Sequence, residues 1–276
     1  MRQRPRFLDG VLAHDAAITL FYSDNLLLNK VVPEAWRFQM LVVTLWLADM
    51  RDPADPRTGL TLSHLRKLCA QLGIASGGRV MAFLNLMRMA NYMTRSPVQD
   101  GRRDIQLEPT PAFDAFVGRY ERDIFACLDA IEPDVGFARA FAARPALGNP
   151  LRNRSAEVLI AGWEPFVPFP EVRFFMNSDG GWLLLDRIVA ARVRQWRAGQ
   201  DGPSAIDLAD FARRYGASRS TLRRLLEKAH AEGLLDLPPK NGRTIAPSHR
   251  LVCAYLCWLA AYFEILRGSA LMGMAA

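Results

Sequence analysis

Between Ala212 and Leu235 the chain reads ARRYGASRSTLRRLLEKAHAEGLL, with its apolar residues at helical rather than strand spacing. At about 3.6 residues per turn, Leu222, Leu225, Leu226 and Ala229 form one stripe, while Ser220, Arg223, Arg224, Glu227 and Ala231 form the opposite one. Such a helix buries its first stripe and leaves the second in solvent. Gly216 suits the left-handed conformation that ends a preceding helix, and Ser218 suits the N-cap of the next. Upstream, Leu208, Phe211, Ala212 and Tyr215 keep helical spacing, and Ser204, three residues before Asp207, predicts a capping-box start. Downstream, GLLDLPPKNGRTIAPS predicts two short strands around Pro238, Pro239 and the turn pair Asn241-Gly242. The predicted order is helix, turn, helix, β-ribbon.

The same pattern occurs earlier in the chain, in TLSHLRKLCAQLGIASGGRVMAFLNLMRMANYM at 61–93. Thr61 falls on Ser204, Leu65 on Leu208, Leu68 on Phe211, Leu72 on Tyr215 and Gly73 on Gly216. After a one-residue gap at the turn, Val80, Phe83, Leu84 and Met87 fall on Leu222, Leu225, Leu226 and Ala229. DGRRDIQLEPT then matches NGRTIAPS, and long helices are predicted after each, at 111–131 and 248–267. The leads agree as well, LFYSDNLLL with FMNSDGGWLLL.

Helix, turn, helix and ribbon, with GASRSTLRRLLEKAHAEGLL at the second helix, resemble the winged helix-turn-helix of bacterial transcription regulators of the MarR and GntR families. The resemblance implies a mainly α fold of two tandem winged modules with small β-wings, related by a pseudo-two-fold axis. The first module is expected at 17–131, a connector at 132–172 and the second module at 173–268. It also implies a sequence-specific transcriptional regulator, not an enzyme, whose partner is double-stranded DNA. MarR-like regulators carry one winged helix per chain and dimerise. Two copies in one chain predict a monomeric pseudo-dimer, with a homodimer as the alternative. A plasmid-type replication initiator, or a winged-helix scaffold that binds protein without reading DNA, are the competing functions.

On that resemblance, Ser218, Arg219, Ser220, Thr221, Arg223 and Arg224 occupy the first two turns of the second module's recognition helix, where side chains meet base edges and phosphates. Arginine suits this place because its planar fork pairs with guanine or clamps phosphate. The matching turns of the first module offer Gly78, Arg79, Met81, Ala82 and Asn85, so Arg79 and Asn85 are its candidate contacts. Met81, Leu86 and Met89 are also predicted outward, and they favour a structural role for that helix. Basic wing tips are expected at Arg102 and Arg103 beside Asp100-Gly101, and at Lys240 and Arg243 beside Asn241-Gly242.

Charge agrees with an anionic partner: the 276 residues carry a net +7, and the pI is near 9.6. Half the residues are apolar, enough for sizeable cores. MRQRPRFLDG is basic but is not followed by a long apolar run, so a cytoplasmic location is expected. The apolar run LVCAYLCWLAAYF, 251–263, is too short for the roughly 20 residues a bilayer needs and predicts a buried helix, not a membrane contact. Its expected covers are the helix at 111–131 and the helices at 36–50 and 182–196, or a second chain. Cys253 and Cys257 sit one helical turn apart on that run and read as small hydrophobes, as do Cys69 and Cys127. The four histidines lack metal spacing, and no nucleotide loop or catalytic signature occurs, so no cofactor or metal is expected. The stretch 132–172 is rich in Pro and Gly and reads as a connector with one short helix near 155–161. Its Trp163, Phe166 and Phe169 either seal an interface or line a pocket for a small-molecule effector.

Overall fold

Helices dominate the computed structural model, which describes residues 1–23, 34–52, 54–55, 58–97, 104–162, 165–236 and 244–275. Helices α1 (Phe7–Tyr22) and α2 (Ala35–Asp49) precede α3 (Leu62–Gln71) and α4 (Gly77–Met89). An antiparallel hairpin, β1 (Met93–Pro97) and β2 (Ile105–Pro109), leads into the long α5 (Pro111–Ile131). Then come α6 (Phe137–Ala143), a 3-10 turn (Pro145–Leu147), α7 (Gly148–Ile160), α8 (Pro170–Met176) and α9 (Gly181–Arg197). The chain closes with β3 (Ser204–Ala205), α10 (Leu208–Tyr215), α11 (Arg219–Ala231), β4 (Thr244–Ile245) and α12 (His249–Ala275).

Both helix–turn–helix segments form where the hydrophobic pattern puts them. Gly73 and Gly216 each adopt φ +65°, the left-handed turn that an L side chain resists. The start of α10 differs from expectation. Asp207, not Ser204, is the N-cap, its carboxylate accepting from the amides of Ala209 and Asp210 at 2.8 and 3.0 Å. Ser204 is buried in β3, paired with Ile245, and its hydroxyl donates to Gln195 Oε1 at 3.0 Å. Pairing of the short strand β3 with β4 claims that backbone before the helix can start. Thr61, its counterpart, does both jobs: it bridges to Gln106 and caps α3 by accepting from the His64 amide at 3.2 Å.

The stretch 132–172 holds more helix than expected: α6, α7 and the start of α8 rather than one short helix. Pro145 and Pro150 read as breakers, yet each sits in a first helical turn, where no amide is needed. Gly148 permits close packing, since a Cβ there would lie 2.2 Å from Glu121 Oε2. Phe166 is buried and stacks on Trp258 with centroids 6.0 Å apart, and Phe169 packs at the core edge. Trp163 lies outside the described residues.

The apolar helix α12 spans 27 residues, well past the expected stretch. Arg250 and Glu264 read as the bounds of the apolar run, but the helix continues past Glu264, and Arg267 pairs with Glu132. Its length and its most apolar window, of mean hydropathy 1.4, meet those of a membrane span, and half of that window is buried. Its covers differ from those expected. Helices α7 and α8 pack along it, while α5 lies mainly against α1 and meets α12 through the paired hydroxyls of Tyr120 and Tyr262.

A continuous core runs from Phe7 to Ala270 and draws on both halves of the chain. Helix α1 ties them through polar groups too. His14 Nδ1 lies 3.0 Å from Asp186 Oδ1, which also accepts from the Tyr255 hydroxyl, all three side chains being buried. Next to them Asp15 accepts from Arg187 at 3.0 Å and from Arg194. Burial, helped by Asp186, pushes the Asp15 carboxyl above its usual value against the pull of both arginines.

Candidate nucleic-acid interface

Helix α11 divides cleanly into two faces. Leu222, Leu225, Leu226 and Ala229 are buried, and Ser218, Arg219, Ser220, Arg223 and Arg224 are exposed, with Thr221 between. Ser218 occupies the N-cap position but does not cap: its hydroxyl bonds Ser220 Oγ at 2.8 Å, so no side chain takes the first-turn amides. Arg223 Nε lies 3.1 Å from Glu227 Oε1, both groups well exposed, which leaves the guanidinium easily exchanged onto a stronger acceptor. Arg224 Nε donates to the Ser220 carbonyl at 3.4 Å.

Further cations share this end of the molecule. Arg213 and Arg214 on α10 flank Asp210, with Arg214 at 3.4 Å, and Lys228 continues the α11 face. Together α10 and α11 carry six Arg or Lys residues against Asp210 and Glu227. Thr221, Arg224 and Lys228 also border a cleft of about 380 Å³, closed on its far side by Phe174 and Ser178 from α8 and the turn after it. Of these, Lys228 was legible as the residue four places after Arg224. Phe174 and Ser178 come from another element, and no spacing in the sequence points to them.

Helix α4 presents a different surface. Val80, Phe83, Leu84 and Met87 are buried as the repeat predicts, and Ser76 caps the helix through the Arg79 amide at 3.5 Å. Arg79 and Asn85 are exposed, and the Arg79 guanidinium rests over the Trp36 ring 5.5 Å from its centroid. Met89 is 71% exposed as expected. Met81 and Leu86 are only half outward, because Met81 lies beside Met93, Ile105 and Leu107 of the hairpin. The wing-tip candidates Arg102, Arg103, Lys240 and Arg243 lie outside the described residues, as do their turn pairs.

Cys69 and Cys127 are buried, and burial raises both thiols, Cys69 to about 11. Cys253 and Cys257 are only half-buried, with Cys253 Sγ 3.4 Å from His249 Nε2 and Cys257 Sγ accepting from Arg2 at 2.9 Å. No family model, curated protein or solved structure matches the chain.

Proposed function

We propose that the chain is a DNA-binding transcriptional regulator of MarR-like design, in which α3–α4 with β1–β2 and α10–α11 with β3–β4 are tandem winged helices and α11 enters the major groove. One observation carries this reading: on α11 the apolar stripe is buried while Arg223 and Arg224 stand in solvent away from it and Arg219 stands in solvent at the helix's first residue. A helix docked by one stripe holds its other face at a fixed angle, which groove binding requires. Its uncapped first turn adds amides and a positive dipole end suited to phosphate. Arg213, Arg214 and Lys228 extend the positive surface to flanking backbone.

Replacing Arg219, Arg223 and Arg224 together with alanine tests it, because alanine preserves helix propensity and the three sites are exposed. Binding to sheared genomic duplex is followed by fluorescence anisotropy across a salt series. The variant is expected to bind more weakly and to lose about 0.9 from the log–log salt slope for each arginine that sits on a phosphate. Parental affinity and slope in the variant would remove α11 from the interface.

A further inference from the structure

Six helices, α1, α2, α5, α7, α9 and α12, enclose an apolar slot of about 70 Å³, and Phe38, Tyr120, Trp182 and Tyr262 separate it from a neighbouring gap of about 20 Å³. Its polar groups are nearly all engaged. Arg152 donates to Glu121 at 2.6 Å, to Asp49 at 2.9 Å and to Asn149; Ser155 donates to the Leu151 carbonyl at 2.8 Å; the Tyr120 and Tyr262 hydroxyls bond each other. The exception is Trp182. Its side chain is 7% exposed, its ring borders both spaces, and its indole N–H has no acceptor among the described residues. A buried donor left this way is costly and calls for a partner. Water is a poor one here, since it needs about two to four polar neighbours, and the other polar groups lining the slot already have partners.

We infer that the slot is a ligand site for a small, uncharged aliphatic molecule with one carbonyl oxygen, which accepts from the Trp182 N–H. Volume sets the size: an apolar cavity of about 150 Å³ takes benzene, and this slot is about half that, so a molecule of about four non-hydrogen atoms fits where a ring does not. Charge sets the rest. Every Arg152 nitrogen already has a partner and Glu121 faces the same space, so a carboxylate would meet repulsion without a free cation. Nothing in this assignment depends on DNA binding.

Three probes of one shape separate the terms: acetone, its methylene isostere 2-methylpropene, and acetate, each titrated into the full chain by ligand-detected NMR. The ketone is expected to saturate, the alkene to bind at least about fivefold more weakly, the size of one neutral hydrogen bond, and acetate not to bind. Trp182→Phe keeps an aromatic wall without the donor, and should bring ketone and alkene within about twofold of each other. Absence of saturable ketone binding, equal binding of ketone and alkene to the wild-type chain, or a preference that survives Trp182→Phe would each overturn the assignment. The wild-type comparison decides without any variant, and Val42→Phe, which fills the slot wall, should abolish binding of ketone and alkene alike.

Discussion

The two helix–turn–helix segments share an inner face and differ in their outer one. Val80, Phe83, Leu84 and Met87 on α4 are buried like Leu222, Leu225, Leu226 and Ala229 on α11, and Gly73 and Gly216 turn at the same φ. Outside, α11 shows Arg219, Arg223 and Arg224 where α4 shows Gly77, Met81 and Ala82. Packing explains the contrast. An inner stripe is constrained by every neighbour it touches, so change there is felt at the level of single methylenes, whereas an exposed face can change at almost no cost in stability and so records function.

Shared inner faces make the strongest prediction. Leu226→Ala and Leu84→Ala each empty a buried site and should each cost about 2–5 kcal/mol in urea unfolding. Because one core joins both halves, each variant should shift a single transition followed by tryptophan fluorescence and by circular dichroism alike. Two transitions, with each variant moving its own, would mean that the repeats fold independently and that the joint core is not cooperative.

Unlike outer faces give the next. The triple arginine variant of α11 should weaken duplex binding far more than Arg79→Ala combined with Asn85→Ala, which removes one cation already resting on Trp36. Duplexes selected from a random pool by the wild-type chain should carry one strong half-site and one weak or absent one. A palindromic consensus with equal information in both halves would erase the distinction between the two faces.

How much of this was legible depends on what each residue answers to. The helical periods of α4, α5 and α11 could be read because burial on one face is a local, repeating constraint. Ser204 could not be placed, since its role comes from pairing with Ile245, far along the chain. The end of α7 was legible as the short helix near 155–161, but α6 and the start of α7 were hidden behind Pro145, Gly148 and Pro150, residues that break a helix inside it and start one at its edge. The cleft beside α11 was half visible: Lys228 follows from helical period, Phe174 and Ser178 only from tertiary packing. The unpartnered Trp182 indole had no signal in the sequence.

Gly78 sharpens the comparison with a smaller effect. A Cβ there would meet no atom within 4 Å, whereas at Gly77 it would lie 2.8 Å from Arg66 Nη2. Nothing in the protein itself therefore requires glycine at 78. Gly78→Ala should stabilise the fold by up to about 1 kcal/mol, less if fraying of the first turn shares the effect. If α4 has only a structural role, DNA affinity stays unchanged. A loss of affinity alongside the gain in stability would show that DNA approaches the α4 backbone closely, and that the first repeat is an interface after all.

The smallest effect is expected at Asp104, which joins the first repeat's hairpin to α3 and has no counterpart at Ser204's strand. Its Oδ1 accepts from the Ile105 amide at 2.8 Å and the Ser63 amide at 3.2 Å. Burial pushes its carboxyl up, but these amides, with the Thr61 and Ser63 hydroxyls, outweigh burial and hold it below the usual 3.8. A carboxyl depressed by folding adds stability that is fully present above its unfolded value and is lost as pH falls through its folded one. Asp104→Asn should thus lower the thermal midpoint slightly at pH 6, and the gap from wild type should close below about pH 3.8. Thermal melts of both proteins from pH 6 down to the acid limit of reversibility would show it. A gap that stays constant with pH would mean that the hydrogen bonds hold the neutral side chain equally well, and that acid does not act on the two repeats differently through this residue.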